Sequence, residues 1–254
     1  MNKLFFKLKS KIKREGLLST IKASLIYPFR YDFRRKYKEM LKQDSLKARF
    51  TLINQQNLWN SKESASGEGS ELEYTSNLRF WLTKKIQELN VKNFVDAPCG
   101  DFNWMQLVCK ELDFNYLGLD IVEGIINKNN IEFSNNKTKF RVANICEDKI
   151  PDCDLLMVRD CLFHLSFADI DNFLKNISST NYKYLLTTTH IVDNNFANSN
   201  IISGDFRLID LFSSPFKFSR NYVVDRVNDY PEGHPVPSEM ILIEKQHVPF
   251  SIDY

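Results

Sequence analysis

The sequence has no C-x-x-C pair, no G-x-G-x-x-G run and no apolar stretch long enough to cross a bilayer. Each absence removes a class of protein. Cys99, Cys109, Cys146, Cys153 and Cys161 are odd in number and scattered, so neither a disulfide framework nor a zinc cluster is suggested, no metal is expected, and a reducing cytoplasm is the expected compartment. A glycine-rich turn is what lets a pyrophosphate sit on a helix N-terminus, so its absence argues against a nicotinamide oxidoreductase. The apolar runs near the N-terminus are short and broken by lysine, which fits neither a membrane span nor a signal sequence.

What is present is enough for one large core. The 254 residues are 43% hydrophobic and 13% aromatic, which excludes general disorder and allows one α/β domain with an appendage. The net charge of +2 conceals two different pieces. Residues 1–50 hold 15 basic and 4 acidic residues, and the remainder holds 19 basic and 28 acidic. We therefore divide the chain into a basic helical extension, 1–56, and a domain, 57–254. Leu4, Phe5, Leu8, Ile12, Leu17, Leu18, Ile21, Leu25 and Ile26 recur among the lysines at roughly helical spacing. Such a helix could pack on its own domain or a second subunit, lie on an anionic membrane through residues 1–30, or bind nucleic acid. Nucleic acid is not expected, because the body is acidic and no base-reading motif accompanies the charge. The oligomeric state is left open.

From residue 72 onward, short apolar runs alternate with amphipathic ones. Strands are expected at Asn93–Ala97, Tyr116–Asp120, Lys139–Ala143, Asp154–Val158 and Tyr184–Thr188, and helices at Leu72–Leu89, Trp104–Leu112, Glu123–Asn130 and Ser166–Ser178. Two further runs, Tyr222–Val227 and Glu239–Glu244, are joined by YPEGHPVPS, whose prolines cannot hold a crossover helix and so favour an antiparallel hairpin. The expected fold is α/β: a seven-stranded, mostly parallel sheet ending in that hairpin.

In such a sheet ligands lie beyond the carboxyl ends of the strands, so the residues after each strand matter most. The first strand ends in DAPCGDFNW, Asp96 to Trp104, where Gly100 permits a tight turn close to a ligand and Asp96 offers an acceptor for an ammonium or for backbone N–H groups. Pro98 and Phe102 stand where a dinucleotide loop would need glycines. Twenty-four residues after Asp96, the second strand ends on Asp120, a carboxylate placed to accept both hydroxyls of a ribose. A nucleoside without phosphates suits this loop.

Several motifs, in order and spacing, resemble one bacterial family of class I S-adenosylmethionine-dependent methyltransferases. Asp96–Trp104 is similar to its D-x-P-C-G-D-F-x-W motif, Tyr116–Val122 to Y-x-G-x-D-I-V, and Arg159–Phe167 to R-D-C-x-x-H-L-S-F. Glu63–Ser70 looks like its E-S-x-S-G-x-G-S lead-in and Tyr184–Thr189 like its Y-L-L-T-T-T strand, so the likeness covers about residues 57 to 216. It implies a Rossmann-like fold and S-adenosylmethionine (SAM) as cofactor, leaving S-adenosylhomocysteine (SAH) as product. By the same resemblance Asp96, Ala97, Pro98, Gly100, Phe102 and Trp104 would form the cofactor loop, Asp120 would meet the ribose and Ile121 the adenine. Asn144 and Ile145 would stand near the adenine amino group, and Arg159 and Asp160 beside the sulfonium. Trp59, Ser66, Gly67, Gly69, Ser70 and Arg79 would contribute a lid.

An alcohol acceptor would need a base, for which His164 or Asp160, and less directly His190, are the candidates. An anionic acceptor would need a cation instead. Arg207 ends the stretch Asn200-Ile-Ile-Ser-Gly-Asp-Phe-Arg207, which is similar to the family's N-x-x-x-x-G-D-W-R pattern with one residue fewer before the glycine and Phe206 for the tryptophan, and is the candidate. Relatives by resemblance occur among enzymes of bacterial capsular polysaccharide modification, which suggests O-methylation of a sugar hydroxyl or of a phosphate or phosphoramidate group. A non-catalytic SAM-binding module, held to a membrane or partner by its basic N-terminus, is the alternative.

Overall fold

A computed structural model describes residues 32–254. The basic stretch 1–31, with the amphipathic pattern noted above, lies outside the described residues. The described residues fall into two units, 32–42 and 43–254. In the first, residues 32–41 are helical, with Asp32 paired to Arg35 and Lys36 one turn on. Among the described residues no helix is long and apolar enough to cross a membrane.

The second unit opens with α1, Leu46–Gln55, capped by Ser45, whose hydroxyl accepts the Ala48 N–H at 3.2 Å. The division at residue 56 is thereby corrected: Leu46 and Phe50 of α1 pack on the core of the sheet unit, to which this helix belongs. Next come α2 (Ser76–Glu88), β1 (Asn93–Asp96), α3 (Met105–Glu111), β2 (Asn115–Asp120) and α4 (Glu123–Phe133). They are followed by β3 (Thr138–Val142), β4 (Cys153–Val158), α5 (Phe167–Ser178), β5 (Tyr182–His190), β6 (Val223–Asn228) and β7 (Ser238–Glu244). The helix expected from Leu72 starts four residues later, because the Thr75 hydroxyl bonds back to the Glu71 carbonyl and holds a turn there.

The seven strands form one sheet in the order β3-β2-β1-β4-β5-β7-β6. Strands β1 to β5 are parallel, while β7 lies antiparallel between β5 and β6. Neighbouring residues of each central strand face opposite cores, which is why those strands read as unbroken apolar runs. Val95, Leu156, Leu185 and Ile241 face one core, covered by Ile170, Phe173, Leu174 and Ile177 of α5. Phe94, Leu155, Leu186 and Leu242 face the other, covered by Leu78, Leu82 and Ile86 of α2 and Met105 and Val108 of α3. Helix α5 begins at a reciprocal cap, with Ser166 Oγ accepting from the Asp169 N–H and donating to its carboxylate.

The strand order reverses between β1 and β4, so the tips of these strands and of β2 open onto one cleft. The packing beneath it is tight. A Cβ added at Gly118 in β2 would fall 2.7 Å from Phe140 Cδ1, 2.8 Å from Cys99 Sγ and 3.0 Å from Cys99 Cβ. Gly118→Ala is expected to cost about 1–3 kcal/mol through overpacking, read as a lower urea midpoint at unchanged m-value. An unshifted midpoint would mean that the β1 and β2 tips are loosely packed.

Candidate functional site

The cleft encloses about 960 Å³ of non-protein space, open solvent included. It is built where β1 and β2 end. Gly100, at a φ of +53°, donates its N–H to Asp120 Oδ2 at 3.1 Å, and its carbonyl accepts from Asn129 Nδ2 of α4 at 2.8 Å. Asp120 Oδ1 accepts the Val122 N–H at 2.9 Å. One carboxylate thus fixes both strand ends. Burial raises the Asp120 carboxyl to about 6, the N–H groups it accepts limiting the rise.

Asp96, at the tip of β1, is 2% exposed and lines the cleft. Its Oδ2 accepts the Tyr116 hydroxyl at 2.8 Å, while Oδ1 has no partner. Burial pushes its carboxyl up to about 7, with the Tyr116 bond and the Arg159 charge opposing. A buried carboxylate oxygen left unpaired at a cleft wall is unfavourable alone and is satisfied by a cationic donor. Ile121, Val122, Ala143 and Ile145 form an apolar wall beyond Asp120. Asn144 also lines the cleft, with its Oδ1 already accepting the Cys146 N–H at 3.1 Å and one lone pair left.

The opposite wall starts at the end of β4. Arg159 donates from Nε and Nη2 to Asp229 at 2.7 and 3.0 Å, from Nη2 to the Gly69 carbonyl at 2.7 Å, and pairs with Asp160 at 3.2 Å. Burial disfavours its charge, but Asp160 and Asp229 outweigh that and hold the guanidinium above its usual range. Trp104 lies 5.4 Å from the guanidinium carbon and lines the cleft with it. Asp160 sits at a φ of +48°, its N–H bonded to Thr188 Oγ1 at 2.9 Å and its carboxylate accepting from that hydroxyl at 3.2 Å. The left-handed turn directs the chain from β4 into the turn that carries His164.

His164 lines the cleft with its Nδ1 placed 2.8 Å from the Asp205 carbonyl. A carbonyl only accepts, so Nδ1 carries the proton and the neutral ring keeps Nε2 as an acceptor. Burial pushes the imidazole down to about 4. The Trp59 ring is tilted toward it at 5.6 Å, and Phe50 lies 6.5 Å from Trp59, centroid to centroid.

The segment from Ser61 to Glu71 covers the cleft, and one side chain holds most of it. Asp101 accepts from Ser64 Oγ at 2.9 and 3.0 Å, from the Ala65 N–H at 2.7 Å and from Ser66 Oγ at 3.2 Å. Asn103 adds bonds to Glu63 and to the Ser70 carbonyl.

The structure brings together Trp59, Ser66, Ser70, Asp96, Pro98, Gly100, Trp104, Asp120, Ile121, Asn144, Ile145, Arg159, Asp160 and His164 at this cleft. Five other expectations are corrected. Ala97, directly after β1, is wholly buried in the core that α5 covers. Phe102 turns away into a cluster with Tyr116, Phe133 and Phe140, so it does not shape the cofactor space. The room above Gly100 is taken by Ser66, whose Oγ lies 2.1 Å from where a Cβ would be. Arg79 is spent on the Leu72 carbonyl and Thr75 at the start of α2. His190 lies off the cleft, buried, accepting the Ile209 N–H on Nδ1, and burial lowers it to about 4. Arg207 turns inward: it is 5% exposed and donates to the Leu165 and Leu162 carbonyls of the His164 turn. Leu46, Phe50 and Asn54 of α1, which the division at residue 56 places in the extension, line the cleft; their near-helical spacing with Ile53 is the signal for them in the sequence.

No family model and no curated protein matches the sequence. Solved structures do match. A SAM-dependent methyltransferase of Leishmania major superposes with a TM-score of 0.55 at 13% identity, over 83% of this chain and 90% of that one. The methyltransferase domain of bacterial CtHen1 gives 0.53 at 16% identity, over 67% and 98%. Human N-acetylserotonin methyltransferase, solved with SAM, gives 0.52 at 13% identity over 78% of this chain, which spans 56% of that enzyme's length. The chain therefore has the Rossmann-like fold of class I SAM-dependent methyltransferases, with its antiparallel C-terminal hairpin.

Asp101→Ala removes the shared acceptor of the covering segment. Amide exchange at Ala65 and Ser66 is expected to rise by about tenfold or more, the equivalent of one lost charge-assisted bond, with the amides of β4 and β5 unchanged. Unaltered protection at Ala65 would mean that Asp101 does not hold the segment.

Proposed function

We propose that this chain is a SAM-dependent methyltransferase that methylates a hydroxyl group of a small or carbohydrate-linked acceptor. The observation that carries the reading is Asp96: a buried carboxylate with one unpartnered oxygen, at the strand tip of a class I methyltransferase fold and one strand from Asp120. The donor set fits the cofactor. Asp96 would take its ammonium group, Asp120 its ribose hydroxyls, and Ile121 and Ile145 would flank the adenine, with the second lone pair of Asn144 Oδ1 toward the amino group. Ser66 over Gly100 leaves no cradle for a pyrophosphate, which supports SAM over a dinucleotide.

SAM supplies a methyl group on a sulfonium, already activated toward a nucleophile. The chain's part is alignment, exclusion of water and acceptance of a proton. Arg159 and Asp160 would form the floor, with Trp59, Ser66 and Ser70 covering. His164, neutral and with Nε2 as an acceptor, would take the hydroxyl proton. A carbohydrate-linked acceptor and a role in capsular polysaccharide modification rest on the motif resemblance, as does the phosphate or phosphoramidate variant.

Methyl transfer from labelled SAM, followed with SAH release, tests the reading. His164→Gln is expected to lower kcat by about 10²-fold or more. Because its imidazole titrates near 4, wild-type kcat at saturating SAM should stay level from about pH 8 to about pH 5. An acid limb near 6.5 that vanishes in the variant would place His164 in an ordinary, solvated environment. Asp96 gives a second test. Its carboxyl titrates near 7 before binding, and an ammonium beside it favours the ionised form. SAH binding at pH 7 should then release about half a proton, fading by about pH 8.5, as measured by calorimetry in buffers of different ionisation enthalpy. Asp96→Asn should bind more weakly and release none; unchanged release in that variant counts against the ammonium site.

A further inference from the structure

Resting on the methyltransferase reading, we propose that the acceptor is an uncharged ring hydroxyl laid against Trp59, not a phosphate, phosphoramidate or carboxylate. The charge of the cleft is the first ground. Among the described residues its lining holds the carboxylates Asp96, Asp120 and Asp160 and one cation, Arg159. That cation is already spent, with Asp229, Asp160 and the Gly69 carbonyl occupying its guanidinium. Arg207, the arginine whose sequence position suggested an oxyanion site, points its guanidinium at the Leu162 and Leu165 carbonyls instead. With Asp96 and Asp120 taken by the cofactor, an anion entering beside the sulfonium end would lose its hydration and face Asp160, with no free cation among the described residues of the cleft wall to receive it.

Geometry supplies the second ground. A hydroxyl that gives its proton to His164 Nε2 comes within hydrogen-bond reach of that ring. Trp59 is 5.6 Å from the same ring, centroid to centroid, and 6.5 Å from Phe50. The group that carries the hydroxyl therefore enters a part of the cleft lined by Trp59 and Phe50, which favours the apolar face of a sugar ring or the π face of a phenol. Trp59 is in turn backed by Gly67, where a Cβ would approach Trp59 Cβ to 3.1 Å, so the indole is set by the covering segment. Trp59 is thus a specificity determinant as well as part of the cover.

The test uses the full chain loaded with SAH and saturation-transfer NMR with matched probes. Methyl β-glucoside and 4-methylphenol are the neutral ring hydroxyls, and glucose 6-phosphate and phenyl phosphate their anionic counterparts. At least one neutral probe should bind, at least about tenfold more tightly than its phosphate partner. Which of the two binds tells whether a sugar or an aromatic ring is the source. Trp59→Leu, checked for folding by circular dichroism and its thermal midpoint, should weaken that probe about tenfold. Phosphates that bind as tightly as the neutral probes, or no binding of either neutral probe up to about 10 mM, overturns the proposal. Failure of SAH itself to bind would instead remove the methyltransferase reading, so the two failures are distinct.

Discussion

The arrangement of the cleft depends on one backbone position, Gly100. Its N–H goes to Asp120 at the end of β2, its carbonyl takes Asn129 of α4, and the space that a side chain would fill holds Ser66. The positive φ of +53° is what lets both backbone groups reach their partners from one turn. Two strand ends, a helix and the covering segment therefore meet at a residue with no side chain. Asp101, next in the chain, extends the same junction by holding Ser64, Ala65 and Ser66.

Around that junction the fold places charge where burial opposes it. Asp96, Asp120 and Asp229 are each raised toward neutrality by desolvation. Only Asp229 is fully paired, with Arg159; Asp96 keeps a buried oxygen without a partner and Asp120 has only backbone N–H groups. Such carboxylates cost stability in the free protein and recover it on meeting a donor, as in a binding site prepared in advance. The His164 side of the cleft is built differently. There an uncharged imidazole, Trp59 and Phe50 present apolar faces, so one end is suited to a cation with hydroxyls and the other to a neutral ring.

Much of this was legible in the chain itself. The strands announce themselves as short apolar runs, and the rule that ligands lie beyond strand ends picks out Asp96, Asp120, Arg159 and Asp160 without coordinates. Order along the chain does not say which way a side chain turns. Phe102, Arg207 and His190 are close in sequence to the cleft yet face inward, because an aromatic cluster, the Leu162 and Leu165 carbonyls and the Ile209 N–H claim them. Averaging charge over fifty residues hid α1, whose Leu46 and Phe50 belong to the core. Asn129 left no signal, since one asparagine on a helix acquires meaning only when Gly100 is known to lie beside it.

The central claim is that the tips of β1 and β2 hold SAM. Calorimetric titration of SAH into the full chain, freed of co-purified nucleoside, tests it most directly. Saturable binding at one site per chain is predicted. Asp120→Ala should weaken it by a factor of about 10 to 100, from loss of charge-assisted bonds of about 1.5–3 kcal/mol. Absence of binding to the wild-type protein, or equal affinity in the variant, would contradict the account.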